Sequence, residues 1–147
     1  GLITQYDSIA LVGFKKLKDQ NFKDDFVKNA NVSIISGDSI KAKNLNAEIS
    51  DYQNEFINVH FKKPVKINCV VLKEAVKEGQ AVQKFYIQVR NNKQLESYMY
   101  TTVGRKRIIT FPAIEAVDLM IHFVEGRKKI RINEIKAYLI DEKLIEK

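Results

Sequence analysis

From residue 31 onward the apolar residues alternate with polar ones: Val32 and Ile34; Ile57, Val59 and Phe61; Phe85, Ile87 and Val89; Val117, Leu119, Ile121 and Phe123. A period of two sends successive side chains to opposite faces of an extended chain, so each run predicts a half-buried strand. The run "VKINCVVLK" is apolar on both faces, which suits a central strand covered on both sides. "RIITF" and "KIRINEIKAYLI" supply further strands, and Gly, Pro, Asn and Lys punctuate the gaps. Short strands without helical segments between them predict an all-β, two-sheet sandwich.

The start of the chain follows another period. Ile9, Leu11, Phe14 and Leu17 recur at helical spacing behind Asp7 or Ser8 as N-cap, which predicts one N-terminal amphipathic helix. The stretch "DQNFKDDFVKNA" then carries Phe22, Phe26 and Val27, either continuing that helix or forming a connector. The expected organisation is therefore a lead-in over residues 1–29 and a sandwich over residues 30–147. A length of 147 residues with 45% hydrophobic composition suffices for one core. Residues 36–55 are polar and aperiodic, which predicts a long surface loop, or a strand broken by loops, of the kind that holds ligands on such scaffolds.

Few patterns carry chemistry. The glutamates Glu74, Glu78, Glu96, Glu115 and Glu125 fall in turns or at strand ends, with nothing tying two of them into an acid/base pair. His60 and His122 lie inside alternating strands as outward polar positions, without the cysteine or acidic companions of a zinc site. "VGRK" lacks the glycine-rich loop and helix of a phosphate cradle. The single cysteine, Cys69, has no internal disulfide partner and reads as a small buried hydrophobe. No run approaches the ~20 apolar residues of a membrane span, and the N-terminus has no signal pattern, so no membrane partner is expected.

A net charge of +7 is spread along the chain, with clusters in "RKR" at 105–107 and "RKKIR" at 127–131. Two readings stay open: cations that protect strand edges, which is favoured, or a patch for a polyanion. Tryptophan is absent, so Tyr52, Tyr98 and Tyr100 are the candidates for contact with sugar.

The segments "VVLKEAVKEGQAVQKFYIQV", "TTVGRKRIITFP" and "DLMIHFVEGRKKIRINEIKAY" together resemble the C-terminal sandwich of retaining α-L-fucosidases. That sandwich is similar to the discoidin, or factor V/VIII type C, domain with its galactose-binding-like jelly roll. The resemblance is carried by Val71, Leu72 and Glu74, by Gly79, Gln80, Val82 and Phe85, by Thr102 to Gly104 with Lys106 to Ile108, by Phe111 and Pro112, and by Ile132, Glu134 and Ile135. "GLITQYDSIALVGFKKLKDQNF" resembles the end of the fucosidase barrel and its joining helix, and Gly1 reads as a fragment boundary.

The resemblance implies a non-catalytic accessory domain of a glycoside hydrolase, extracellular or periplasmic. The catalytic carboxylates would belong to a barrel preceding Gly1, so this chain alone is not expected to be an enzyme. Its partners would be that barrel in the same parent chain and glycans, for which the sequence itself offers Lys43, Asp51, Tyr52 and Asn54 at the loop end. A structural calcium is also implied, with Glu134 where a calcium-linked glutamate occurs. Asn46 and Ala47, however, stand where the family has an Asp-Gly pair, and no tryptophan follows. The alternatives are an independent carbohydrate-binding module and, less favoured, a polyanion binder; nucleic acid is not the favoured partner. Within "TTVGRKRIITFP" the expectation is a turn at Gly104, Ile109 and Phe111 on the core, Lys106 and Arg107 in solvent, and a ladder stopped by Pro112.

Overall fold

Two strands of 20 residues, β3 (Glu55–Glu74) and β6 (Arg107–Gly126), run antiparallel and organise the molecule. The structure, a computed structural model, describes residues 21–75, 79–127 and 129–144. The amphipathic helix expected from Asp7 lies outside them. The other strands are β1 (Asn31–Ser36), β2 (Ser39–Ala42), β4 (Val82–Arg90), β5 (Leu95–Tyr100) and β7 (Ile132–Tyr138). Phe26–Asn29 forms a single 3₁₀ turn before β1, capped by Asp25, whose Oδ1 accepts from the Val27 N–H at 2.9 Å. The same oxygen accepts from Ala137 N–H of β7 at 3.0 Å, tying the lead-in to the sandwich.

The strand order is β2-β1-β3-β6-β4-β5, with β7 on the second edge of β3. Register explains how one strand has three neighbours. The first part of β3 lies between β1 and the end of β6, with Ile57 opposite Ile34 and Ile121. Its last part lies between the beginning of β6 and β7, with Leu72 opposite Arg107 and Ile135. Both long strands therefore pass from one layer into the other.

The crossing is built from two bulges that each contain a proline. Residues 61–64 of β3 stand against Val117 alone, and residues 111–113 of β6 stand against Asn68 alone. Proline has no N–H for a ladder, so it is tolerated where pairing is already interrupted, and extra residues bend a strand. Pro112 consequently does not stop the ladder, as the sequence suggested; β6 bends there and pairing resumes at Ile114.

The inward residues of both layers form one core, including Ile34, Ile57, Val59, Val70, Leu72, Phe85, Ile87, Leu119, Ile121 and Ile135. On β3 the alternate residues Cys69 and Val71 face the other way, into a smaller cluster with Tyr138, Ile140 and Leu144. This second cover accounts for the run that is apolar on both faces. Asn68, buried between these layers, accepts from Ile140 N–H at 2.8 Å and donates to its carbonyl at 3.0 Å, so the closing segment stays docked. Burial pushes the Cys69 thiol up to about 12.

Candidate functional site

At one end of the sandwich the connections between strands are held by a buried glutamate. Glu74, the last residue of β3, is 2% exposed. Its Oε2 accepts from the N–H groups of Ala81 at 2.6 Å and Val82 at 3.0 Å, and its Oε1 from Gly104 N–H at 3.2 Å. Its own N–H donates to the Gly104 carbonyl at 2.9 Å, and the next residue, Ala75, donates to the Arg131 carbonyl at 2.9 Å. Arg127 N–H in turn donates to the Ala81 carbonyl at 2.9 Å. One side chain thus fixes the β3–β4 connection against the β5–β6 loop, and neighbouring backbone bonds add the β6–β7 loop. Gly104 has φ of +73°, the left-handed region that favours glycine, so this turn is open to few other residues.

The polar segment between β2 and β3 packs onto the same end. Ile49 and Ile130 exchange both backbone hydrogen bonds, at 2.7 and 2.8 Å. Glu55, 5% exposed, accepts from the N–H groups of Ser50 and Asp51 and pairs with Lys41 at 2.6 Å. Burial alone would raise the Glu55 carboxyl, but these bonds outweigh it and hold it below the usual range.

Asp51, Tyr52 and Asn54 come together in this turn. Asn54 donates through Nδ2 to Asp51 Oδ2 at 2.8 Å, and both side chains are exposed. Lys43 is exposed just beyond β2. Tyr52 differs, because its half-buried ring packs against the main core. A Cβ placed on Gly126 would lie 2.8 Å from Tyr52 Cζ and 3.1 Å from Ile130 Cδ1, so the tyrosine lies directly over bare glycine backbone. Burial, and then the nearby Glu74 charge, push its phenol above its ordinary value. The ring buttresses the loop from beneath while Lys43, Asp51 and Asn54 line the surface.

Glu134 lies on β7 with its carboxylate between two ammonium groups, Lys73 at 2.9 Å and Lys136 at 3.3 Å. The hydrogen bond from Lys73 is the main cause holding its carboxyl below the usual range. A calcium ion at Glu134 would meet both cations at close range, whereas calcium sites gather six to eight oxygens. Among the described residues no group of three or more His, Cys, Asp or Glu side chains gathers around a point. These residues do not fit the implied ion.

The other sequence candidates lie elsewhere. Tyr98 stacks on Phe111 with centroids 5.1 Å apart, and Tyr100 stacks on Phe85 at 5.5 Å and donates to the Thr110 carbonyl at 3.2 Å. Both close the gap between β5 and the start of β6. His60 Nδ1 lies 3.0 Å from Asp118, which also takes Arg90 at 2.8 Å. His122 stands between the rings of Phe56 and Tyr86, with centroids at 4.8 and 4.6 Å. In this row both faces of the His122 ring are covered by neighbouring rings. Near the bends, an open cleft of about 630 Å³ is lined by Lys66, Asn92, Gln94, Tyr98 and Pro112 among others.

The basic stretches converge on the Glu74 end. Arg107 donates to the Thr102 carbonyl at 3.4 Å and lies over the Tyr100 ring at 6.0 Å. Arg105, Lys106 and Arg127 are exposed and have no ion pair among the described residues. Lys129 and Arg131 reach Glu48 only at 3.8 and 3.6 Å. Lys128 lies outside the described residues.

Comparison with known proteins gives this geometry a context. α-L-Fucosidase 1 of Arabidopsis thaliana is 30% identical over 156 aligned residues, spanning 95% of this chain. The chain is homologous to part of an α-L-fucosidase. It covers 31% of that relative's length. No protein-family model matches the chain. Solved structures agree on the fold: a family 29 fucosidase of Ruminococcus gnavus in complex with fucose superposes with TM-score 0.68 at 20% identity, over 91% of this chain and 30% of that one. A chitosan-binding module from a chitosanase/glucanase of Paenibacillus sp. IK-5 superposes with TM-score 0.59 at 18% identity, over 78% of this chain and 97% of the module. Glu74, Gln80, Val82 and Gly104, four of the residues on which the sequence resemblance rests, make up the loop clamp or touch it.

Proposed function

We propose that this chain is a non-catalytic accessory domain of a glycoside hydrolase of the α-L-fucosidase kind. In this reading it supports a catalytic barrel within the same parent protein and contacts glycan at its loop end. The supporting observation is the alignment with a fucosidase, which takes in 95% of this chain and under a third of the enzyme. A homologous portion of that size, folded around one main core, is what a separately folding accessory unit requires. Lys43, Asp51 and Asn54 form the exposed rim of the contact and Tyr52 supports it. The domain works outside the cytoplasm, as the resemblance implies; no helix among the described residues is long and apolar enough to cross a membrane.

A second reading is an independent carbohydrate-binding module. It is favoured by the chitosan-binding relative, in which the same kind of sandwich accounts for 97% of the chain compared. A glycan array of the isolated chain, with an aryl-fucoside hydrolysis assay beside it, tests both. Glycan binding without hydrolysis is the expected result. Hydrolysis by this chain alone would overturn the accessory reading, and an array without any signal would remove glycan contact and leave support of the barrel.

A further inference from the structure

We propose that the Glu74 end of the sandwich binds an anionic saccharide, one bearing sulfate or carboxylate groups, chiefly through Arg105, Lys106 and Arg127. The inference rests on the glycan-contacting reading above and narrows its ligand class. In the sequence the two basic clusters are about twenty residues apart and could serve separate strand ends. In the structure both flank one segment: Glu74 bonds to the backbone of Gly104, Ala75 to Arg131 and Ala81 to Arg127.

Three features distinguish this surface from scattered solubilising charge. First, the loop of Arg105 and Lys106 is fixed by the buried Glu74 carboxylate at Gly104 and that of Arg127 by a backbone bond to Ala81, so these points of the loop backbones are held in place before any ligand arrives. Second, Arg105, Lys106 and Arg127 have no ion pair among the described residues; Lys62 and Lys63 have none either, but they stand in the β3 bend, whereas these three are brought to one end by the bonds around Glu74. Third, the acid facing Lys129 and Arg131 is Glu48, at 3.6 Å or more and exposed to solvent, a contact that an incoming anion displaces at little cost. Guanidinium groups pair with planar or tetrahedral oxyanions in two-point fashion, which suits carboxylate and sulfate alike. Gln80, exposed beside Gly104, adds an amide for sugar hydroxyls.

The test is binding of the full 147-residue chain to dextran sulfate and to unmodified dextran, by calorimetry at two salt concentrations, with a neutral-glycan array alongside. Dextran sulfate is expected to bind and dextran not. R105A/K106A should weaken binding about tenfold and lower the slope of log affinity against log salt by about two. The control is K62A/K63A, which removes the same charge from exposed residues in the β3 bend; it should change affinity less than twofold. Equal loss in both variants would mean diffuse attraction to a +7 protein and would overturn the site. A single-stranded oligonucleotide binding as tightly as dextran sulfate would overturn the saccharide class. Neutral-glycan binding with no response to sulfate would sink this inference and leave the proposed function standing; silence toward every glycan would sink both glycan claims.

Discussion

Replacing Glu74 by alanine removes the acceptor of three loop amides at once. Two of them belong to Ala81 and Val82, which are 2% and 0% exposed and have no water to turn to; Gly104 is half-buried and rehydrates more easily. An unsatisfied buried N–H costs roughly 1–3 kcal/mol, so two give about 2–6 kcal/mol, with Gly104 adding little. For a domain of this size that is a fall in Tm of about 6–18 °C. Glu74→Gln discriminates further, because Ala81 and Val82 share Oε2 whereas Gly104 uses Oε1. A glutamine oxygen kept at the Oε2 position retains two bonds and turns an NH₂ group toward Gly104 N–H, donor against donor. E74Q should therefore cost less than E74A and speed amide exchange at Gly104 more than at Ala81 or Val82. Urea denaturation gives the energies and amide hydrogen exchange the residues. A cost for E74A below about 1 kcal/mol, or all three amides exchanging as before, would refute the clamp.

Three further outcomes follow from the packing and charge described. Gly126→Ala sets a methyl against Tyr52 and Ile130 and should cost about 1–3 kcal/mol; chemical denaturation of the double variant with Tyr52→Ala should recover at least about 0.5 kcal/mol of coupling. Burial holds the His122 imidazole below its ordinary value, so the unfolded chain takes up a proton first as pH falls. Stability should accordingly decline as pH drops through about 6.5, and His122→Phe, which keeps a ring between Phe56 and Tyr86, should flatten that decline in urea titrations from pH 7.5 to 5. With Glu134 neutralised by Lys73 and Lys136, millimolar calcium should leave the melting temperature within about 1 °C, whereas a specific structural site would raise it in a concentration-dependent way.

What could be read in the sequence was what depends on neighbours along the chain. Alternation at Ile57, Val59 and Phe61, or at Phe85, Ile87 and Val89, is local, and those residues are in the core. Gly104 in a turn and Ile109 and Phe111 facing inward are local in the same sense. The continuity of β3 was hidden because Lys62, Lys63 and Pro64 look like a break; only the opposing strand, with Val117 alone facing four residues, turns a break into a bend. Pro112 misled in the same way.

The organisation of the loop end was less legible still, and for a physical reason. Glu74 looks like any polar residue at a strand end, since its role is defined by amides seven, eight and thirty positions away. The same long-range closure brings Arg105 and Arg127 to one end, which two basic runs about twenty residues apart do not show by themselves. It also changes what Tyr52 can be: a tyrosine in a polar loop reads as a platform for sugar, yet Gly126 leaves room for its ring to pack inward. A site made of loops that one buried carboxylate holds together has a consequence for ligand binding. Loosening Glu74 should weaken any ligand at this end without removing a single contact to it, because the cost of ordering the loops would then fall on the binding step.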